Sequence, residues 1–309
     1  AAELLFNEDG SVAGIATGDM GIAKDGTVSD RFTRGMELRG RYTLLGEGAR
    51  GSLTKTLVDR FKLNAGRDHQ KYGLGVKELW QLAPDRFEPG LVRHTMGWPL
   101  PNRAGGGSWL YHFDDHLLSV GFVTHLNYEN PTLSPFEEFQ RFKTHPMIRE
   151  TFEGAKRISY GARAITEGGW QSVPKVSFPG GALIGCSAGF VNVPRIKGSH
   201  NAMLSGMLAA DKTAEALSKG RANDDALDAY EADWRGSPIG DDLKKVRNVK
   251  PLWSKYGTAL RIVLGGIDMW TNQLFGFSFF GTLKHGKPDG VVPMCTADVL
   301  TAKCVVGQQ

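Results

Sequence analysis

Between Phe178 and Gly198 the chain reads Phe178-Pro-Gly-Gly-Ala-Leu-Ile-Gly-Cys-Ser-Ala-Gly-Phe-Val-Asn-Val-Pro-Arg-Ile-Lys-Gly198, and a helix is expected to follow over 201–217. A short strand at Leu183 and Ile184 opens into glycines and small residues before that helix begins. This layout lets backbone N–H groups approach the phosphates of a dinucleotide closely, because no Cβ intervenes and a helix start favours negative charge. A second segment has the same order: Tyr42-Thr-Leu-Leu45, then Gly46-Glu-Gly-Ala-Arg-Gly-Ser52, then a helix over 53–61 with Leu53, Leu57, Val58 and Phe61 on one face. Strand, glycine turn and helix in that order fit an α/β cofactor domain, in which ligands sit beyond the carboxyl ends of strands. Taken alone, each is also compatible with an ordinary strand-to-helix turn. No G-x-G-x-x-G follows a first strand, so half of a cofactor site is present without its usual opening.

Other reactive side chains are scattered. His94, His112 and His200 are candidate proton sources, but no paired carboxylate or second histidine stands at motif spacing, which leaves packing or hydrogen-bonding roles open for each. Cys186, Cys295 and Cys304 are too few and too far apart for a disulfide framework or a self-contained iron–sulfur or zinc site. The net charge of +4 does not argue for nucleic acid, so no such partner is expected, and it does not exclude an anionic membrane surface.

The elements that must position these residues divide the chain. Its 309 residues suit two domains or one large α/β unit, and 40 glycines imply many tight turns. Strands are expected over 3–6, 12–17 and 35–38, with a turn at 8–10. The opening residues already read as strand interior, as in a chain cut before its first cofactor motif. From about 70 to 165 the texture is strand-rich and aromatic, with strands expected over 70–80, 91–98, 108–112 and 117–127. A short helix over 135–145 starts at Pro135 and carries Phe136, Phe139 and Phe142. Such an insert would wall a substrate site. The cofactor domain resumes at 178–217, so it is discontinuous: 1–68 with 166–222, interrupted by 69–165.

A helical region is expected over 223–285, followed by a divergent tail over 286–309. Within that region the apolar run 262–283, flanked by Arg261 and Lys284, holds Asp268 as its one charge. It is long enough to span lipid, yet its polar centre is costly at bilayer depth and its aromatics suit an interface. A monotopic membrane-lying segment, a buried core helix with hairpin, and a true span are all open.

Four runs carry a specific resemblance: Tyr72-Gly-Leu-Gly-Val-Lys-Glu-Leu-Trp80, His94-Thr-Met-Gly-Trp-Pro-Leu100, Tyr160-Gly-Ala-Arg-Ala-Ile-Thr-Glu-Gly-Gly-Trp170, and the stretch from Gly185 to Gly198. In order and spacing over about 1–290 the chain resembles the electron transfer flavoprotein–ubiquinone oxidoreductase family. The resemblance implies a mixed α/β fold, with an FAD-binding domain of glutathione-reductase-like type and an inserted, sheet-rich quinone-binding domain. It implies an enzyme that carries FAD, a [4Fe–4S] cluster in the full-length protein, and ubiquinone as substrate. Its partner is electron transfer flavoprotein, and its place is a bacterial inner membrane or the matrix side of the mitochondrial inner membrane.

Carried onto this sequence, the resemblance assigns cofactor contacts to Glu47, Gly48, Ala49, Gly185, Gly189, Asn192, Val193 and Gly198, with Asn192 able to donate to a flavin ring carbonyl or ribityl oxygen. It assigns the quinone headgroup to Gly105, Gly106 and Gly107, where the family commonly has an aromatic residue at the place of Gly105, so a looser pocket is expected. Read without the family, those three glycines are a flexible hairpin loop. Peripheral membrane contact falls on 275–283, with Phe279, Phe280 and Leu283 inserted and Lys284 and His285 at headgroup level. No C-x-x-C-x-x-C run occurs, and a first dinucleotide motif is missing. A fragment, or one chain of an assembly, is therefore expected. Two rivals share parts of this pattern: an FAD-dependent oxidoreductase of the geranylgeranyl-reductase or monooxygenase class, and a non-catalytic structural module of a respiratory assembly.

Overall fold

A computed structural model of the chain describes residues 1–221 and 227–286. Its strands are β1 (Glu3–Phe6), β2 (Val12–Ala16), β3 (Met20–Ile22), β4 (Val28–Thr33), β5 (Glu37–Arg39), β6 (Thr43–Leu45), β7 (Tyr72–Gln81), β8 (Val92–Met96), β9 (Gly106–Phe113), β10 (Leu117–His125), β11 (Lys156–Thr166), β12 (Ser177–Phe178) and β13 (Gly181–Leu183). Its α-helices are α1 (Ser52–Arg60), α2 (Pro135–Lys143), α3 (Pro146–Arg149), α4 (Ser199–Ser218), α5 (Asp228–Gly236), α6 (Pro238–Lys245) and α7 (Val249–Phe275). These gather into two compact units. One comprises Ala1–Asp68 and Gly169–Lys245; the other comprises His69–Gly168 and the chain from Val246 on. The stretch 223–285, expected as one region, is thereby divided at 245–246, and the tail from 287 onward lies outside the described residues.

In the first unit β13 runs parallel to β6, pairing Gly181 with Thr43 and Leu183 with Leu45, so both strands end at the same edge. Beyond β6 comes α1; beyond β13 come a one-turn 3-10 helix, Gly185–Ser187, and then α4. Leu45, Leu57, Phe178, Leu183, Phe190, Tyr230 and Trp234 fill the core beneath. A hairpin of β3 and β4 was not legible in the sequence, because all six residues of β4 are exposed and no buried face imposes alternation.

The second unit is a five-stranded antiparallel sheet in the order β11-β7-β10-β9-β8. Leu110, Leu118, Val120 and Phe122 form its buried face and meet Phe139 and Phe142 of α2. Ser134 caps α2 by accepting from Glu137 N, and Pro135 opens the first turn. Helix α7 is broken at Gly257, whose φ of 74° and ψ of −176° no other residue adopts readily. The freed donors are satisfied locally: Thr258 N donates to the Asn102 carbonyl at 2.9 Å and Ala259 N to Asn102 Oδ1 at 2.9 Å. The apolar run is thus partly helix, ending at Phe275 with Gly276 in the left-handed region, and partly a loop after it. Among the described residues no helix is long and apolar enough to cross a membrane.

Candidate functional site

Glu47 lies in the loop that leaves β6 and turns back onto α1, its carboxylate accepting from Thr54 N at 2.7 Å and Thr54 Oγ1 at 2.8 Å. Gly51, at the N-cap position, has no side chain to do this, so Glu47 caps the helix from outside. Gly48 has φ of +87° and open space where a Cβ would stand. Its N–H donates to Ser187 Oγ at 3.1 Å, which ties the loop after β6 to the 3-10 turn after β13. Gly185 donates to Ser205 Oγ at 2.9 Å, and a Cβ there would lie 3.2 Å from Ala202, so glycine permits α4 to pack against the turn. The two glycine segments separated by more than 130 residues in sequence therefore meet at one sheet edge.

Asp242 of α6 organises the segment that follows. Its Oδ1 accepts from Asn192 Nδ2 at 2.8 Å and pairs with Arg195 at 3.1 Å; its Oδ2 accepts from Asn201 Nδ2 at 3.0 Å and meets His200 Nε2 at 3.1 Å. Burial pushes this carboxyl up, but the amide and imidazole hydrogen bonds together with Arg195 outweigh it and leave its pKa below the ordinary value. Asn192 is fully buried and its amide is engaged by internal partners: Nδ2 donates to Asp242, and Oδ1 accepts from Arg195 N at 3.1 Å. Val193 and Gly198 flank it in the same half-buried loop.

The glycine run of the second unit is not a flexible hairpin. Gly106 and Gly107 belong to β9, opposite Thr124 and Val123 of β10, and Gly107 also faces Met96 of β8. A Cβ on Gly106 would collide with the Val123 carbonyl oxygen. At Gly105 it would collide with His125 Nδ1 and come within 2.9 Å of Trp253 Nε1, so this space is filled by neighbours and the expectation of a loosened pocket there does not hold.

Those neighbours belong to a buried charge cluster. Lys250 Nζ lies 2.5 Å from Glu167 Oε2, with both side chains 3% or less exposed, and His125 Nε2 is 3.4 Å from Glu167 Oε1. His125 meets the Trp253 ring edge-to-face at 4.3 Å, and the Arg261 guanidinium covers the same ring at 3.2 Å. Burial, then the Lys250 and Arg261 charges, hold the pKa of His125 well below the ordinary histidine value, so it is neutral at pH 7.

From Leu260 onward α7 carries an exposed apolar stripe: Leu260, Ile262, Val263, Ile267, Trp270 and Leu274, continued by Phe275, Phe277, Phe279 and Phe280. Asp268, the one carboxylate of this run, is fully buried. It accepts from Ser278 Oγ and from Asn248 Nδ2, the latter at 3.2 Å, and so fastens the aromatic loop to the helix. Asn248 also donates to the Gly281 carbonyl at 2.9 Å.

The family model for "ETF-QO, ubiquinone-binding" matches residues 72–165. Over 296 residues, 94% of this chain and 49% of the relative, the chain is 49% identical to the mitochondrial electron transfer flavoprotein-ubiquinone oxidoreductase of Caenorhabditis elegans. Against the Pseudomonas aeruginosa protein of that name identity is 47%, covering 94% of this chain and 52% of the relative. The chain belongs to the electron transfer flavoprotein–ubiquinone oxidoreductase family. The human mitochondrial member is 44% identical over 99% of this chain and 53% of its own length. The chain spans about half the length of the curated relatives it matches. Among solved structures, a geranylgeranyl bacteriochlorophyll reductase-like protein from Thermoplasma acidophilum aligns with a TM-score of 0.62 at 17% identity, covering 87% of this chain and 61% of its own. A flavin-dependent brominase aligns at 0.53 and 14%, covering 89% and 61%. These two likenesses speak to the fold, and the mixed α/β class expected from the sequence is the one observed.

Within this family member the expected histidines separate by environment. His94 Nε2 is 3.0 Å from the Tyr111 hydroxyl. His112 is buried against Phe87, accepts from Glu88 N, and has a pKa lowered chiefly by burial, which is a packing role. His200 serves Asp242. His285, expected beside Lys284 at headgroup level, is instead buried, and its Nε2 donates to the Gly168 carbonyl at 2.7 Å. Arg261, expected as an outer flank of the apolar run, is turned inward at 6% exposure. His125, Glu167 and Lys250 were missed by sequence reasoning, since no spacing links them and only the fold brings them together.

Proposed function

We propose that this chain carries part of the FAD-binding region and the ubiquinone-binding region of an oxidoreductase that passes electrons from reduced electron transfer flavoprotein to ubiquinone at a membrane surface. The observation that carries this reading is the ubiquinone-binding match over 72–165, the stretch that builds the five-stranded sheet. The names borne by the relatives support the electron donor and the quinone.

The first unit fits a dinucleotide. Gly48, open at its Cβ position, and the Gly185 to Gly189 turn lie at the carboxyl edge of two parallel strands, beside the start of the 20-residue helix α4. Gly48, Ala49, Gly185 and Gly189 would approach the cofactor through their backbones. Glu47 holds the first loop, while Asn192, Val193 and Gly198 shape the second with Asp242 as its fastening point. When bound, FAD supplies the redox chemistry between protein donor and quinone. A [4Fe–4S] cluster enters this reading for the full-length protein; among the described residues no three His, Cys, Asp or Glu side chains come together to hold a metal, and Cys295 and Cys304 lie outside the described residues.

In the second unit the quinone headgroup is assigned to Gly105, Gly106 and Gly107. The α7 stripe with the loop over 275–283 is assigned to peripheral membrane contact, where an isoprenoid tail dissolves. Exposed Met96 and Trp98 extend the apolar surface near Gly107. The test is reduction of a short-chain ubiquinone by reduced electron transfer flavoprotein in the presence of full-length protein containing this chain. Absence of turnover in material that holds FAD and iron would overturn the reading.

A further inference from the structure

Arg261 is a buried cation without a carboxylate. At 6% exposure it lies within ion-pair distance of no Asp or Glu among the described residues, and its Nε has no hydrogen-bond partner. The contact made by Nη2 is with the Met96 thioether sulfur at 3.0 Å, a weak acceptor. Burial alone pulls its pKa down to about 10, so the guanidinium keeps its charge at neutral pH. The Trp253 face offsets part of the charge, but a ring face accepts none of the N–H groups that radiate in the guanidinium plane. What is unmet is therefore hydrogen bonding more than charge, and an unmet buried donor is costly.

The surroundings name the acceptor. Met96 is the register partner of Gly107, and Trp253 Nε1 stands beside Gly105, so the guanidinium lies along the glycine run. Exposed apolar residues, Leu260 and Ile262, stand on either side of it in sequence. A ligand reaching this fork is flat or narrow, arrives over apolar surface and brings an oxygen acceptor. We propose that Arg261 is a ligand-binding residue that donates hydrogen bonds to a carbonyl oxygen of a quinone headgroup seated at Gly105–Gly107. This rests on the quinone reading of this unit and adds a charged donor beside the glycine run.

The test uses full-length protein containing this chain, in detergent, titrated calorimetrically with decyl-ubiquinone. Arg261→Met should weaken binding roughly 10- to 100-fold, as expected for losing a charge-assisted hydrogen bond. Arg261→Lys, which keeps the charge but not the planar fork, should fall between. Binding of the analogue with both carbonyls capped as methyl ethers should be weak and indifferent to Arg261→Met. A measurement on wild type stands apart from variant folding: with 13C-carbonyl decyl-ubiquinone, one C=O stretching band should move to lower frequency on binding, and two unshifted bands would overturn the assignment. Saturable binding that Arg261→Met leaves unchanged removes Arg261 while sparing the quinone site. No saturable binding to wild type removes both. Loss of phosphatidylglycerol-vesicle binding in Arg261→Met, with quinone affinity intact, would identify a lipid phosphate as the acceptor and overturn the proposal.

Discussion

Replacing Lys250 by Met keeps most of the side-chain volume and deletes the ammonium that faces Glu167 at 2.5 Å, where both groups are almost wholly buried. Breaking a buried pair from one side leaves an uncompensated charge and costs about 3–5 kcal/mol. With about 2–4 °C per kcal/mol for a unit of this size, the midpoint of thermal unfolding should fall by roughly 6–20 °C at pH 7.5. The pH dependence supplies the sharper check. In the native protein burial, Lys250 and Arg261 depress the pKa of His125 below the 6.5 of the free group, so the unfolded chain binds the extra proton. The associated stability is full above about pH 6.5 and is lost as pH falls below it, by at most about 1.4 kcal/mol per unit. In Lys250→Met one repulsion is gone and a bare carboxylate faces the imidazole, so the native state takes up the proton more readily. The deficit of the variant should therefore shrink between pH 7.5 and pH 5. Adding Glu167→Gln should recover at least half of the loss. As a control, Arg103→Ala breaks an ion pair with Glu129 whose side chains are 78% and 69% exposed, and the midpoint should move by about 2 °C or less. Melts followed by circular dichroism over this pH range decide the matter: a drop under about 2 °C, or a deficit that does not change with pH, refutes the electrostatic account.

Gly106→Val should lower the unfolding midpoint by several degrees as well as quinone affinity, because its Cβ meets the Val123 carbonyl and Leu100; a wild-type melt would refute the collision. Asp242→Asn should loosen the 192–201 segment and weaken FAD reconstitution of the full-length protein by about 10-fold or more. Since the folded pKa of Asp242 is depressed, its contribution is present above pH 3.8 and lost as pH falls through the folded value; flavin content equal to wild type would detach it from the cofactor site. Phe279→Ser with Phe280→Ser should reduce co-sedimentation with phosphatidylcholine–phosphatidylglycerol vesicles at least about 10-fold, at roughly 1.5–3 kcal/mol per buried ring. Unchanged sedimentation would mean that this surface does not meet lipid.

Much of the architecture was readable from local signals. Both strand–glycine–helix segments, strands β7, β8, β9 and β10 of the five-stranded sheet, and α2 announce themselves through turn residues and periodicity. Less was readable where tertiary context decides. Phe136, Phe139 and Phe142 are spaced alike, yet Phe139 and Phe142 are buried and Phe136 is half exposed, because a three-residue spacing drifts around a 3.6-residue helix. Strand β11 mixes charges and glycine and is recognisable through its pairing with β7, not through its pattern. The apolar run was visible, but its start was not: α7 begins 13 residues before Ile262 and breaks at Gly257, where Asn102 from another part of the chain supplies the acceptors. Residues 125, 167, 250 and 261 converge through the fold alone, and no one-dimensional spacing encodes them.

The fastening of the aromatic loop by Asp268, Ser278 and Asn248 bears on how such a surface would behave in time. A floppy anchor must surrender conformational freedom on each landing, whereas this one has its backbone geometry set when the polypeptide folds. Landing would then be quick and reversible, and the dwell time would be governed by how many rings are immersed. Thermal loosening of the helix end should release the molecule from a bilayer at a lower temperature than the one that unravels the five-stranded sheet.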